Sequence, residues 1–172
     1  IMGVSYNSGG VVEIDSLGNI KRYDSTAIEY NDLEMVDAQT GYIAGYGVIL
    51  KTTDGGNSWE KVSCASFPKV SEGEAAFATS NTNLIVKGKS IFMVSGGKKS
   101  RVFVSHDFGT SWQVYETPIV QGEEMTGIFT ADFYNDKIGI IAGGNYLKQT
   151  QNWSNKAITT NSGKTWQLIA EN

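Results

Sequence analysis

Acidic side chains crowd one stretch near the start of the sequence, and a pair of carboxylates is what hydrolysis of a sugar bond requires. The segment between Tyr23 and Leu50 contains no Lys or Arg and holds five acids: Asp24, Glu29, Asp32, Glu34 and Asp37. Asp132 and the pair Glu123 and Glu124 are further candidates. So many acids are also typical of a solvated edge with turn-forming aspartates, and this second interpretation is the one that we favour.

Arginine is the next residue type that could indicate an enzyme. A sialidase-like site needs three arginines around a substrate carboxylate, because the planar guanidinium binds a carboxylate through two hydrogen bonds. This chain has only Arg22 and Arg101, so it cannot supply such a triad alone. A sialidase would therefore need residues from sequence outside the chain.

Metal, cofactor and nucleic-acid sites find little support in the sequence. His106 and Cys64 are the only residues of their types, which leaves no zinc or iron ligand set. Calcium held by turn carboxylates stays open, although no dense aspartate loop is present. No glycine-rich dinucleotide motif occurs, and we predict no cofactor. A net charge of −4 without a basic stretch argues against nucleic acid, and no apolar run is long enough to span a membrane.

A repeated box is the most specific feature of the sequence. Three segments share the pattern [ST]-x-[DN]-x-G-x-[ST]-W, at residues 52–59, 105–112 and 159–166. The defining residues of the three copies are Thr52, Asp54, Gly56 and Trp59, then Ser105, Asp107, Gly109 and Trp112, then Thr159, Asn161, Gly163 and Trp166. A near-constant spacing between three such copies indicates a repeat protein.

The chemistry of the box predicts a structural turn. An Asx side chain can accept backbone N–H groups of its own turn, glycine supplies a positive φ, and tryptophan covers the turn with apolar surface. Asn161 replaces aspartate in the third copy, which keeps the hydrogen-bond acceptor and removes the charge. A turn tolerates that change and a catalytic acid does not, so Asp54 and Asp107 are predicted to be structural.

Each box lies between two strand-like runs, and two further runs precede it in each period. The sequence therefore predicts an all-β fold, a β-propeller of four-stranded antiparallel blades. The predicted units are a partial blade at 1–29 and complete blades at 30–65, 66–117 and 118–172. In the partial blade, residues 11–14 and 19–23 are predicted to pair. Three blades and part of another are too few to close a ring. We therefore expect part of a larger propeller, with self-association or association with the missing blades.

The box resembles the Asp-box, or bacterial neuraminidase repeat, and residues 41–56 are similar to the blades of the photosystem II stability/assembly factor family. The resemblance covers the chain from about residue 30 onward. It implies a propeller of seven blades or a similar number that acts as an assembly or binding platform, in a periplasmic or secreted location. The box is specific for fold and weak for function, since sialidases, some glucanases and non-enzymatic propellers all carry it.

Loops that join the second and third strands of each blade are the predicted binding face, because such loops converge on the channel of a propeller. The third of these loops is an insertion, from Gly144 to Lys156, and long loops on a rigid scaffold often carry function. The candidate ligand residues are Tyr46, Lys98, Lys99, Tyr146, Lys148 and Trp153. We expect a protein or carbohydrate ligand and no catalysis. The alternative is a carbohydrate-active enzyme, a glycoside hydrolase or sialidase, whose acids lie partly outside this chain.

Overall fold

A computed structural model provides the structure of the chain. It describes residues 2–5, 10–14, 20–22, 30–45, 48–63, 65, 67–77, 80 and 82–169, and it describes side chains from Asp32 onward. No helix occurs among these residues. The described strands are Met2–Ser5 (β1), Gly10–Ile14 (β2), Ile20–Arg22 (β3), Tyr30–Met35 (β4), Gly41–Gly45 (β5), Val48–Thr52 (β6), Glu60–Lys61 (β7), Glu74–Ala75 (β8), Leu84–Lys87 (β9), Ser90–Val94 (β10), Gly96–Gly97 (β11), Arg101–Ser105 (β12), Gln113–Glu116 (β13), Thr126–Phe133 (β14), Gly139–Asn145 (β15), Lys156–Thr159 (β16) and Gln167–Leu168 (β17).

These strands form four antiparallel sheets in chain order. Sheet 1 has the order β1-β2-β3, and it includes the predicted pairing of residues 11–14 with the run after Asn19. Sheet 2 has the order β4-β5-β6-β7, and sheet 3 has the order β9-β10-β12-β13. Sheet 4 contains β14 to β17 and continues beyond β14 through β11 and β8. The all-β prediction and the four-stranded antiparallel units are thus confirmed, whereas the described strands form no closed sheet.

Sheets 2 and 3 are apolar on both faces, and this explains their nearly continuous hydrophobic sequences. Side chains alternate across a strand, so neighbouring residues of one strand enter different cores. In β9, Leu84 belongs to the core shared with sheet 2, and Ile85 belongs to the core shared with sheet 4. In β10, Ile91 and Phe92 divide in the same way. The sheets therefore pack face to face in sequence, as the blades of a propeller do.

The first strands of successive sheets also lie side by side, with contacts from β1 to β4, from β4 to β9 and from β9 to β14. Asp32 on β4 joins two of them directly. Its Oδ2 accepts hydrogen bonds from the backbone N–H groups of Asn83 and Leu84, at 2.9 and 2.8 Å. One buried carboxylate thus fixes the start of sheet 3 against the first strand of sheet 2.

The six-stranded order of sheet 4 is the main difference from the predicted four-stranded unit. Gly96 and Gly97 form β11, which pairs with Gly127 on one side and with β8 on the other. A Cβ atom on Gly127 would lie 2.3 Å from the Cα of Gly96. Two glycines permit this backbone approach, and a glycine pair in a sequence looks like a turn rather than a strand.

Candidate functional site

The first box is held together by its own side chains. Thr52 Oγ1 donates to Asp54 Oδ1 at 2.8 Å and accepts the N–H of Gly56 at 2.9 Å. Ser58 then donates its N–H to Asp54 Oδ1 and its hydroxyl to Asp54 Oδ2, at 2.9 and 2.7 Å. Both oxygens of the carboxylate are therefore engaged inside the turn.

The second and third boxes repeat this network. Ser111 donates its N–H and its hydroxyl to the two oxygens of Asp107, at 2.8 and 2.6 Å. In the third box, Asn161 Oδ1 accepts the N–H of Thr165 at 3.0 Å, and its Nδ2 donates to the hydroxyl of Thr165 at 2.8 Å. The last bond runs in the opposite direction from its counterparts, so an amide fits the turn as well as a carboxylate.

These hydrogen bonds decide the protonation of the box acids. The hydroxyl of Ser58 is the largest influence on Asp54 and, with the other donors of the turn, lowers its pKa to about 2. The hydroxyl of Ser111 acts in the same way on Asp107, whose pKa is also about 2. Both groups are ionised at neutral pH, so neither holds a proton that a general acid could donate.

The tryptophans of the boxes close the hairpins. Trp112 Nε1 donates to the carbonyl of Gly109 at 2.9 Å, and Trp166 Nε1 donates to the carbonyl of Gly163 at 2.9 Å. The glycines have φ angles of 85° and 78°, values that favour glycine. Trp59 packs against the core of Ile43, Val48 and Leu50, and its buried indole N–H has no hydrogen-bond partner among the residues that the structure describes.

The long loop of sheet 4, residues 146–155, is fixed at its base by Asn145. The buried amide oxygen of Asn145 accepts the N–H groups of Leu147 and Lys148, at 2.9 and 3.2 Å. Its amide nitrogen donates to Glu123 Oε2 at 3.0 Å, and Lys148 Nζ reaches Glu123 Oε1 at 2.9 Å. These bonds, with Lys148 as the largest cause, lower the pKa of Glu123. The connector before sheet 4 therefore holds the start of the loop.

Three large apolar side chains are exposed on this held loop. The exposed fractions are 60% for Tyr146, 72% for Leu147 and 51% for Trp153. The other end of the loop is also fixed, since the carbonyl of Ser154 accepts the N–H of Val120 at 2.9 Å. Exposed aromatic side chains on a fixed backbone suit a binding surface, because little conformational freedom is lost when a ligand covers them.

The remaining predicted ligand residues are distributed over other parts of the chain. Tyr46 lies outside the described residues. Lys98 donates its backbone N–H to the carbonyl of Gly73, and Lys99 forms an exposed ion pair with Glu116 at 3.5 Å. Of the six residues, the described contacts place Tyr146, Lys148 and Trp153 on one loop, and they place Lys98 and Lys99 on the loop after β11.

A pocket that the sequence did not indicate lies between sheets 2 and 3. Its volume is about 450 Å³, within the range of small-molecule and side-chain sites. Most of its wall is apolar and includes Ile49, Phe67, Val70, Met93, Val94 and Phe103. The connector before sheet 3 supplies one side of the wall, and its Phe67 stacks on Phe103 with ring centroids 4.9 Å apart.

A buried ion pair closes the polar side of this pocket. Arg101 Nε donates to Glu74 Oε1 at 2.9 Å, and its Nη2 bonds the second carboxylate oxygen and the carbonyl of Lys69. The hydroxyl of Ser95 and the N–H of Ser71 complete the shell of Glu74, at 2.6 and 2.8 Å. Burial opposes ionisation of Glu74, but these donors outweigh it and lower its pKa. Both oxygens of the carboxylate are thus paired within the protein.

The acids near the start of the sequence have separate roles in the structure. Asp24 and Glu29 lie outside the described residues. Asp37 caps a turn, as predicted, by accepting the N–H groups of Gln39 and Thr40. Asp32 is not the solvated residue that we expected, because it is buried and accepts the N–H groups of Asn83 and Leu84 from sheet 3 as well as that of its neighbour Leu33. Burial raises its pKa. Burial also raises the pKa of Glu34, and the charges of Asp32 and Asp132 add to the effect.

The described residues contain no group of three or more His, Cys, Asp or Glu that could hold a metal ion. His106 lies 2.9 Å from the hydroxyl of Ser90, through its Nδ1. Within the described part of the chain, no helical segment has the length and hydropathy that crossing a bilayer needs.

Solved structures with a similar fold include YCF48 proteins and a GH74 enzyme. YCF48 bound to a D1 peptide superposes with a TM-score of 0.55 at 19% identity, over 83% of this chain and 40% of that one. YCF48 from Cyanidioschyzon merolae has a TM-score of 0.55 at 18% identity, over 83% and 37% of the two chains. The Niastella koreensis GH74 enzyme has a TM-score of 0.60 at 19% identity, over 98% and 29%.

These similarities show a propeller-like fold. No family model and no curated protein matches the sequence. The chain spans less than half the length of each of the three solved structures.

Proposed function

We propose that this chain is part of a β-propeller that acts as a protein-binding platform and not as an enzyme. The observation that carries the proposal is the fixed long loop, which exposes Tyr146, Leu147 and Trp153 to solvent. A protein partner could bury all three at once, and aromatic residues are frequent among the side chains that dominate binding energy. The solved complex of YCF48 with a D1 peptide supports a peptide or protein as the ligand class.

The geometry of the boxes also supports a platform. Asp54 and Asp107 use both carboxylate oxygens within their own turns, and Asn161 replaces them in the third copy. We therefore assign the boxes as Asp-boxes with a structural role, in a propeller of the photosystem II assembly factor type. The units 30–65, 66–117 and 118–172 are its complete blades in this proposal.

Selection of peptides from a random display library tests the platform. Wild-type protein is immobilised, and enriched peptides are synthesised and titrated against wild type and against the double variant Tyr146→Ala/Trp153→Ala. We expect the double variant to lose at least ten-fold in affinity, because truncation of an interface hot spot costs about 2 kcal/mol or more.

A matched control separates the loop from general surface effects. Tyr134 is 85% exposed on a different turn, so Tyr134→Ala removes an exposed aromatic ring without touching the loop. Affinity should stay unchanged in this variant. Equal loss in both variants, or no loss in the loop variant, would remove the long loop from the proposal.

A carbohydrate-active enzyme is the second candidate, because a GH74 enzyme is among the solved structures of similar fold. Glu34 would be the acid in that case, since burial and two neighbouring carboxylates raise its pKa, as a general acid requires. Hydrolysis of aryl glycosides by the wild type, and its loss in Glu34→Gln, would establish this candidate and overturn the platform.

A further inference from the structure

The pocket between sheets 2 and 3 can be compared with the equivalent space between sheets 3 and 4. We call the space between sheets 2 and 3 the first gap and the space between sheets 3 and 4 the second gap. The strand registers make the two gaps equivalent, because Gly41 pairs with Thr52 as Ile91 pairs with Ser105 and as Gly139 pairs with Thr159. By the same registers, the pocket residues Ile49, Met93 and Phe103 correspond to Val102, Ile141 and Ala157.

The second gap is filled by a side chain from the connector that crosses it. Ile119 follows Pro118, is almost fully buried, and belongs to the same core as Val102, Ile141 and Ala157. The first connector also contains a proline, Pro68, but the residue that follows it is Lys69.

In the first gap, the connector contributes Phe67, the residue before Pro68, which stacks on Phe103, and Lys69 does not enter the core. The side chain of Lys69 is exposed, and its backbone carbonyl accepts a hydrogen bond from Arg101. Val70, the next residue, is 45% exposed. Beside Phe67, the first gap therefore retains a pocket of about 450 Å³, whereas the residue after the proline in the second connector, Ile119, is buried in its core.

The polar groups of the pocket wall leave its occupant no charge to pair with. Glu74 is neutralised by Arg101, and the hydroxyl of Ser95 donates to the same carboxylate. A charged side chain in the pocket would lose its hydration and find no partner, whereas an aliphatic side chain would replace water against Ile49, Met93 and Val94.

We propose that this pocket receives a branched aliphatic side chain from a protein partner, much as the core between sheets 3 and 4 receives Ile119. This partner is the protein that the proposed platform binds, so the inference rests on the proposed function. The pocket acts as a specificity site, since it accepts Ile, Leu or Val and rejects charged residues.

Methyl NMR with a small probe tests the pocket directly. The probe is N-acetyl-isoleucine amide, and the matched probe is N-acetyl-lysine amide. We expect saturable shifts at the methyl groups of Ile49 and Met93 with a dissociation constant of about 1–10 mM, a typical affinity for a ligand of this size. The methyl groups of Ile141, in the filled gap, should not shift, and the lysine probe should have no effect.

Two variants fill the pocket from opposite sides. Lys69→Ile gives the first connector the isoleucine that follows the proline in the second connector. Ala76→Leu enlarges a side chain of the pocket wall. Each should abolish the shifts and weaken the selected peptides at least ten-fold, and Lys69→Ile should also raise the melting temperature. If one variant fails to fold, the other retains the test. Absence of saturable shifts, equal binding of the lysine probe, or peptides unaffected by both variants would overturn the inference.

Different results would contradict the proposed function and the proposed pocket. The variant Tyr146→Ala/Trp153→Ala should leave the shifts at Ile49 and Met93 intact, because neither residue lines the pocket. Peptides whose affinity is unchanged by this variant but falls in Lys69→Ile would contradict the role of the loop and support that of the pocket. Peptides whose affinity is unchanged by Lys69→Ile and Ala76→Leu but falls in the loop variant would contradict the role of the pocket alone.

Discussion

At the scale of single residues, local hydrogen bonds and distant ones differ in how well a sequence reveals them. The partners of Asp54 lie within four residues of it, so its role in the turn could be inferred from the box pattern. Asp32 bonds Asn83, 51 residues away, and Glu74 pairs with Arg101, 27 residues away. No local sequence pattern predicts such contacts, because they depend on how the sheets pack.

The box acids predict a specific response to acid. Their folded-state pKa of about 2 lies below the ordinary aspartate value, so ionised Asp54 and Asp107 stabilise the fold above about pH 4. This contribution is lost as the pH falls from about 4 to about 2. Thermal melts of Asp54→Asn/Asp107→Asn should therefore resemble wild type at neutral pH and show a smaller decrease in melting temperature at low pH.

The third box supports this expectation, because Asn161 already holds its turn with an amide in place of a carboxylate. A large loss of melting temperature at neutral pH in the double variant would show that the carboxylates do more than hold the turn. Identical acid sensitivity of the two proteins would show that other groups control unfolding at low pH.

The pair of Arg101 and Glu74 predicts a strong effect of removing one partner. Arg101→Met leaves the buried Glu74 carboxylate without its main donor, and the loss of unfolding free energy should be about 3 kcal/mol. Urea denaturation measures this loss. The double variant Arg101→Met/Glu74→Met should recover much of it, because no buried charge then remains unpaired. Additive losses in the double variant would contradict this explanation.

At the scale of elements, the hairpins were predictable and the extension of sheet 4 was not. Alternating apolar residues around a glycine-containing box indicate two paired strands, and β6–β7, β12–β13 and β16–β17 agree with that pattern. The pairing of β11 with β8 and β14 depends on close contact between glycine backbones. Such contact has no signature in hydrophobic periodicity.

Gly127 is the residue that the extended sheet requires most. It has a φ of 129°, and an added Cβ would lie against the backbone of Gly96. Gly127→Ala should lower the free energy of unfolding by about 2–3 kcal/mol through both strain and steric clash. Urea denaturation measures the loss.

The matched control for this prediction is Gly122→Ala. Gly122 has a similar φ of 114° but nothing within 4 Å of an added Cβ. The control should therefore lose less stability than Gly127→Ala, because it experiences strain alone. Equal losses would mean that close approach to β11 contributes nothing.

At the scale of the whole molecule, one face of sheet 4 lacks the cover that sheets 2 and 3 have. Ile140 and Ile158 are paired across β15 and β16, and they are 43% and 38% exposed. The corresponding faces of sheets 2 and 3 are buried by the sheet that follows. An exposed apolar face of this kind is a site for association.

We expect this 172-residue chain to self-associate through that face. Sedimentation velocity over a range of concentrations should show reversible association, and Ile140→Ser/Ile158→Ser should reduce it because the apolar face is lost. A chain that stays monomeric at all concentrations, or association unaffected by the double variant, would contradict this use of the face.

The platform proposal itself is tested most directly by calorimetric titration of one selected peptide, with aryl glycoside hydrolysis measured on the same preparations. We expect tight binding to wild type and to Glu34→Gln, at least ten-fold weaker binding to Tyr146→Ala/Trp153→Ala, and no hydrolysis. Peptide binding that is indifferent to the loop variant, together with hydrolysis that disappears in Glu34→Gln, would contradict it.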